Sequence, residues 1–211
     1  MITISVIVLA GGRSRRLGYD KALLPWRGRT LIQYLVTYLQ EVSDDVLVVT
    51  GTERRYQELL TVPIFPDEIR DIGPLGGLYT GLKHARSPYS LAVACDMPFV
   101  NKAVIDLLKD NAEGRGGFET RPWAVVPSIQ NHRVPTCAIY HKDCLSVIEK
   151  LHAQGRSSLH ALLDSVPLKI LSEDEVRAVD PTLRSFVNIN TQADWESCMP
   201  LGAVLSSESE L

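Results

Sequence analysis

Apolar residues occur in short continuous runs along the first half of the chain. The run from Ile2 to Ala10 contains nine residues, and only Thr3 and Ser5 among them are polar. Such a run is typical of a strand that is buried on both faces inside a parallel sheet. Similar runs predict three further strands, over 45–50, 62–65 and 90–95.

Between these runs, apolar residues recur with helical spacing. Thr30 is a suitable N-cap, and the apolar residues that follow it at intervals of three and four predict a helix. Asn101 predicts the start of another helix in the same way, and two more helices are predicted over 53–60 and 73–85. The alternation of strand and helix through residue 110 predicts an α/β fold, with a mostly parallel central sheet and helices on both faces.

The second half of the chain continues the mixed pattern after a glycine-rich loop over 111–122. It predicts strands over 124–127, 136–140 and 168–171, and helices over 143–152, 158–163 and 192–198. A chain of 211 residues suits one domain with a sizeable core. We therefore expect a single domain over residues 1–198, followed by a flexible tail over 199–211.

The composition excludes several classes of protein. A net charge of −3, without a repeat or a long basic tract, gives no reason to expect a nucleic-acid partner. The first apolar run is too short to span a membrane and lacks the basic segment of a signal peptide. The four cysteines are widely scattered without a C-x-x-C pair, which argues against a disulfide framework or a zinc site. We expect a cytoplasmic protein with no membrane contact.

A basic, glycine-containing segment follows the first strand directly. Gly11 and Gly12 allow a tight turn, and four cations follow within nine residues, at Arg13, Arg15, Arg16 and Lys21. Exposed backbone N–H groups beside clustered cations form an anion site, most simply for a polyphosphate. A glycine pair after a strand is also often only a turn. The segment matches neither of the two common phosphate-loop motifs.

Two aspartates and a second glycine cluster also follow predicted strands. Asp67 comes after the third strand and Asp96 after the fourth. A carboxylate at such a place either faces a ligand or metal, or caps the next turn. The segment 73–77 opens a helix with three glycines, and it either contacts an anion or nucleobase or only forms a tight loop. Because ligands of parallel sheets bind outside the carboxyl ends of the strands, we expect these pieces to meet at one edge.

Several segments, in chain order, resemble the molybdenum cofactor guanylyltransferase family. They are Leu9–Lys21, the region of Asp67, Gly73-Pro74-Leu75-x-Gly77, Cys95-Asp96-x-Pro98-Phe99 and Asn188-Ile189-Asn190-Thr191-x-x-Asp194. The resemblance covers roughly residues 4–198, with Leu17 where Met is usual and Gln192 where Pro is usual. It implies a Rossmann-like three-layer sandwich of the nucleotide-diphospho-sugar transferase type.

The resemblance also implies a reaction, namely transfer of GMP from GTP to molybdenum-bound molybdopterin with release of pyrophosphate and with Mg²⁺. Lys21, Arg16 and Asp96 are the implied catalytic residues, with Asp96 as the metal ligand. The implied nucleotide contacts are Leu9, Ala10, Gly11, Gly12, Ser14, Lys21, Asp67, Gly73, Pro74, Leu75 and Asp96. Asn188 and Asn190 are candidate pterin contacts or turn formers. GTP, molybdenum-molybdopterin and, transiently, other proteins of cofactor biosynthesis are the expected partners.

Other functions are compatible with the same residues. A molybdopterin cytidylyltransferase or a sugar-1-phosphate nucleotidyltransferase would share the fold, and a comparison of GTP with CTP binding separates the first from a guanylyltransferase. A nucleotide- or molybdopterin-binding adaptor is the non-enzymatic alternative, against which the presence of both Lys21 and Asp96 argues. An acceptor phosphate is already ionised at neutral pH, so the lack of an obvious catalytic histidine fits transfer to it.

Overall fold

The computed structural model describes residues 2–11, 20–53, 55–113 and 121–204. Ten strands and seven α-helices lie in these ranges. The strands are β1 (Ile4–Leu9), β2 (Pro25–Trp26), β3 (Arg29–Thr30), β4 (Val46–Val49), β5 (Ile64–Phe65), β6 (Tyr89–Ala94), β7 (Ala124–Ile129), β8 (His132–Arg133), β9 (Cys137–His141) and β10 (Leu168–Leu171). The helices are α1 (Leu31–Gln40), α2 (Pro74–His84), α3 (Lys102–Ala112), α4 (Cys144–Ala153), α5 (Leu159–Leu163), α6 (Glu173–Arg177) and α7 (Gln192–Val204).

The central sheet has the order β10-β7-β9-β6-β1-β4-β5, and β8 pairs with β7. β1 runs parallel to both of its neighbours, β4 and β6, as predicted for the first half of the chain. β9 is antiparallel to both β6 and β7, so the sheet is mixed rather than purely parallel. Leu9 lies opposite Val49 on one side and Ala94 on the other, so three parallel strands end at one level.

Helices cover both faces of this sheet, which gives the three layers that the sequence predicts. Val6 and Val8 pack on the side of α1 and α3, and Ile7 and Leu9 pack on the side of α2, α4 and α5. β1 is therefore buried on both faces. A Cβ built at Gly81 would lie 2.4 Å from Cγ2 of Ile7, so glycine is what lets α2 approach β1 this closely.

Local signals in the sequence determine where the helices begin. Thr30 caps α1 in a capping box with Gln33, and the side chain of Asn101 accepts a hydrogen bond from the backbone N–H of Val104 at 2.9 Å. α4, α5 and β10 also occur close to their predicted positions.

Some predicted boundaries were wrong. The helix predicted over 53–60 is absent from the described residues there, which form turns, and Tyr56 has a φ of +67° that no α-helix accommodates. The last helix, α7, continues to Val204 instead of ending at 198. The hairpin of β2 and β3 and the short helix α6 were not predicted.

No helix in the described ranges has both the length and the apolar composition needed to cross a bilayer.

Candidate functional site

A cavity of about 480 Å³ opens at the carboxyl ends of β1, β4 and β6. This is the point where the strand order reverses, because the chain leaves β1 for β4 on one side and later places β6 on the other. Residues that are widely separated in the chain form its wall. They are Leu9, Ala10, Gly11, Asp20, Lys21, Val49, Asp67, Gly73, Pro74, Gly77, Ala94, Cys95, Asp96, Thr136, Asn188 and Asn190.

Lys21 and Asp96 meet inside this cavity, although 75 residues separate them in the chain. The Lys21 Nζ atom lies 3.3 Å from Oδ2 of Asp96 and donates to Oδ1 of Asn190 at 2.9 Å. Both members of the ion pair are largely covered, with side-chain exposures of 17% and 22%. The predicted meeting of Lys21 and Asp96 at one sheet edge is therefore confirmed.

The segment around Asn190 is attached to Asp96 through the backbone. The N–H of Ile189 donates to the carbonyl oxygen of Asp96 at 2.9 Å, and Asp194 accepts from the backbone N–H groups of Asn190 and Thr191. The buried Oδ1 atom of Asn188 lacks a hydrogen-bond partner among the described residues. Both asparagines border the cavity, and Oδ1 of Asn188 could accept a hydrogen bond from a ligand.

Asp67 presents a partly buried carboxylate on the opposite wall. Its Oδ1 atom is buried and has no hydrogen-bond partner in the part of the chain that the structure describes. Burial raises the pKa of Asp67 to about 6, because no donor compensates for the loss of water around the carboxylate. An orphaned acceptor of this kind is ready to accept hydrogen bonds from a ligand.

The first turn of α2 forms the wall beside Asp67. Gly73 has a φ of +58° at the N-cap, and a Cβ built at Gly77 would lie 3.0 Å from Leu9 and 3.6 Å from Oδ1 of Asp67. The glycines therefore serve close approach between the helix, β1 and Asp67. Leu75 was predicted as a nucleotide contact, but its side chain is fully buried in the core on the α2 side, outside the cavity wall.

Leu9, Ala10 and Gly11, which were predicted as nucleotide contacts, lie in the cavity wall. Gly11 is pressed against Gly51, since a Cβ built on Gly11 would stand 3.0 Å from the Gly51 nitrogen. The predicted site residues Gly12, Ser14 and Arg16 lie outside the described residues.

Asp20 and Thr136 also border the cavity, although neither was predicted as a site residue. Asp20 borders the cavity, and its carboxylate accepts from the hydroxyl of Tyr56 at 2.6 Å and from Nη1 of Arg55 at 3.0 Å. Its position next to Lys21 in the sequence was the signal that could have identified Asp20 as a site residue. Thr136 lies directly before β9, and no motif in the sequence marked it as a site residue.

Asp96, the metal ligand implied by the resemblance, is one of three carboxylates that border the cavity, with Asp20 and Asp67. Among the described residues, no three His, Cys, Asp or Glu side chains cluster as a metal site. Mg²⁺ commonly uses one or two carboxylates and completes its shell with water and substrate phosphate oxygens. Asp96, which lies beside Lys21 in the cavity, could serve as one such carboxylate.

Comparisons with known proteins agree with the geometry. The family model described as the MobA-like NTP transferase domain matches residues 6–169. A protein of Methanosarcina acetivorans named probable molybdenum cofactor guanylyltransferase is 40% identical over 209 residues, covering 92% of this chain and 88% of that protein. The molybdenum cofactor guanylyltransferase of Desulfosudis oleivorans is 37% identical over 200 residues, covering 93% and 94%.

Solved structures share the fold. Molybdopterin-guanine dinucleotide biosynthesis protein A from Archaeoglobus fulgidus superposes with a TM-score of 0.78 at 24% identity, covering 94% of this chain and 98% of that chain. The 2-C-methyl-D-erythritol 4-phosphate cytidylyltransferase from Thermus thermophilus superposes with a TM-score of 0.66 at 16% identity, covering 98% and 100%. At these identities the likeness concerns architecture alone, and it confirms the predicted nucleotide-diphospho-sugar transferase fold.

Proposed function

Because the chain belongs to the MobA-like NTP transferase family, we propose that it transfers GMP from GTP to molybdenum-bound molybdopterin. The observation that carries the proposal is the meeting of Lys21 and Asp96 in a cavity at the strand ends. Relatives named molybdenum cofactor guanylyltransferase, 37–40% identical over more than nine-tenths of the chain, support the choice of reaction.

The reaction joins a phosphate oxygen of the pterin to the α-phosphorus of GTP. The bond between that phosphorus and the oxygen bridging to the β-phosphate breaks, and pyrophosphate leaves with the electron pair. The attacking oxygen is already ionised near neutral pH, so the chain does not need a general base. Its residues orient the two phosphates and neutralise charge, which is the main catalytic task in phosphoryl chemistry.

Lys21 is the described cation in the best position for that task. Its amine projects into the cavity, where Asp96 and Asn190 accept from it. A bound triphosphate would supply stronger acceptors, and Lys21 would then hold the negative charge that accumulates on the leaving pyrophosphate. Arg16, outside the described residues, remains a proposed second cation.

Asp96 would hold Mg²⁺ between protein and nucleotide. When bound, Mg²⁺ supplies Lewis-acid stabilisation of phosphate oxygens. Asp96 is fixed for this role by its backbone, since its carbonyl oxygen accepts from Ile189 and the N–H of the preceding Cys95 donates to Leu9 at 3.0 Å.

Asp67 would receive the guanosine part of the nucleotide. Guanine carries N1–H and N2–H donors and the ribose carries hydroxyl donors, and the orphaned Oδ1 of Asp67 is an acceptor for either. Asn188 and Asn190 would contact the pterin from the opposite wall. A cytoplasmic location and transient contacts with other cofactor-biosynthesis proteins belong to the same proposal.

The test is pyrophosphate release from GTP in the presence of molybdenum-bound molybdopterin and Mg²⁺, with CTP as the parallel nucleotide. We expect release with GTP and little with CTP. Preference for CTP would indicate a cytidylyltransferase instead. GTP binding without release would indicate the adaptor function and refute the enzymatic proposal.

A further inference from the structure

We propose that Tyr56 and Arg55 are positioning residues that act through Asp20 to place Lys21 in the cavity. The inference rests on the proposed function, because that function assigns Lys21 to the nucleotide phosphates. Neither residue lines the cavity, and neither is part of the segments that resemble the family.

The Asp20 carboxylate is held by three donors. Its Oδ2 atom accepts from the Tyr56 hydroxyl at 2.6 Å and from Arg55 Nη1 at 3.0 Å. Its Oδ1 atom accepts from the backbone N–H of Ala22 at 3.1 Å and caps the short 3₁₀ turn Lys21–Leu23. One side chain thus connects the turn that carries Lys21 to the segment after β4.

The backbone at Tyr56 is bent to make this contact. Its φ of +67° lies in the left-handed region, which a bulky aromatic residue rarely adopts. Tyr56 is buried, with 8% exposure, and its backbone carbonyl oxygen accepts hydrogen bonds from the N–H groups of Leu59 and Leu60. Strain of this kind persists where the surroundings enforce it, and it concentrates near functional sites.

The same segment contacts the cavity wall a second time. Gly51 lies against Gly11, and Arg55 Nη2 donates to the carbonyl oxygen of Thr50 at 3.4 Å. Gly51 therefore contacts Gly11, while Arg55 and Tyr56 contact Asp20. Gly11 and Asp20 are the two described residues closest to the undescribed part of the glycine-Arg segment. The residues after β4 thus contact both described ends of the predicted phosphate-binding segment.

Arg55 and Tyr56 also reduce the repulsion that the Asp20 carboxylate would exert on a bound triphosphate. Asp20 borders a cavity proposed for a triphosphate, and an unneutralised carboxylate there would repel the ligand. The Arg55 guanidinium compensates its charge, and the Tyr56 hydroxyl occupies the same oxygen. Without them, the Asp20 carboxylate would be available to compete with phosphate for the neighbouring Lys21 amine.

A double-mutant cycle tests the inference. Tyr56→Phe keeps the ring and removes the hydroxyl, and it is made both in the natural chain and in Lys21→Ala. Losing a hydrogen bond to a charged group corresponds to roughly a tenfold effect or more. We expect kcat/KM for GTP to fall about tenfold in the natural chain and less than about twofold in Lys21→Ala, since the lysine to be positioned is gone.

Tyr89→Phe is the matched control. Its hydroxyl donates to the carbonyl of Pro122 at 2.7 Å, and Tyr89 is also buried but lies at the amino end of β6, away from the cavity. We expect it to lower the midpoint of thermal unfolding without changing kcat/KM. Arg55→Lys should retain more activity than Arg55→Met, because it keeps the charge beside Asp20.

Equal loss of kcat/KM from Tyr56→Phe with and without Lys21 would overturn the inference, as would a loss matched by Tyr89→Phe. A GTP titration of the natural chain separates this failure from that of the proposed function. If the natural chain binds and turns over GTP and the cycle is additive, only the positioning role fails. If the natural chain neither binds nor turns over GTP, the proposed function fails first.

Discussion

Asp67→Asn should make the protein more stable and less active. The buried carboxylate has no hydrogen-bond donor among the described residues, and its pKa rises from the usual 3.8 to about 6. The folded state therefore binds the Asp67 proton more tightly than the unfolded state does. Between about pH 4 and pH 6 the contribution of Asp67 to stability consequently falls as pH rises. At neutral pH the charged side chain of Asp67 therefore lowers the free energy of unfolding.

The size of the cost follows from the pKa difference. A difference of about 2 units, at 1.36 kcal/mol each, corresponds to about 3 kcal/mol, and partial contact with solvent reduces it to about 1–2 kcal/mol. An amide at this position carries no charge to desolvate. We therefore expect Asp67→Asn to raise the free energy of unfolding by about 1–2 kcal/mol at pH 7.5 and by about a third of that at pH 4.5.

Urea unfolding of both proteins at the two pH values measures this difference. Asp44→Asn is the control, because Asp44 is an exposed aspartate away from the cavity and should show no such pH-dependent gain. GTP affinity should fall in Asp67→Asn, because the amide offers one acceptor oxygen in place of a carboxylate. A variant that is less stable than the natural chain at pH 7.5 would refute the reasoning from burial.

Three further substitutions test the site and its support. Lys21→Ala should lower kcat by about 10²–10³ without changing thermal unfolding, because it removes a preorganised charge contact. Steady-state kinetics with GTP measure this loss, and a loss below tenfold would contradict the assignment of Lys21 to the nucleotide phosphates. Asp96→Ala should abolish the dependence of turnover on Mg²⁺, and normal turnover that still rises with Mg²⁺ would exclude Asp96 as the ligand. Gly81→Ala should destabilise the fold by about 1–3 kcal/mol in urea, because its Cβ would lie 2.4 Å from Ile7; unchanged stability would show that α2 can move away from β1.

The meeting of Lys21 and Asp96 was predictable because it follows from a rule about strands. Each residue follows a strand with buried apolar runs, and the carboxyl ends of parallel strands face one edge. The capping residues Thr30 and Asn101 were predictable for a similar reason, since the side chain that begins the helix is adjacent in sequence.

Other features depend on contacts that no local pattern encodes. Tyr56, Leu59 and Leu60 have a spacing that favours a helix, but the contact of Tyr56 with Asp20, 36 residues away, accompanies a left-handed backbone. β9 is an apolar strand like the others, and its direction depends on the hairpin-like return from β7. Leu75 lies in a glycine cluster whose sequence predicts a ligand-binding loop, but on α2 its side chain is buried in the core.

The hydrogen bond from Ile189 to Asp96, together with the contact between Asn190 and Lys21, has a consequence for biosynthesis of the protein. Translation supplies Lys21 early and Asn190 about 170 residues later. A growing chain on the ribosome can therefore pair its first strands long before the wall around Lys21 is complete. The wall around Lys21 can form only after Asn190 has been translated, so nascent chains that end before this residue should not bind a nucleotide in the way that the folded chain does.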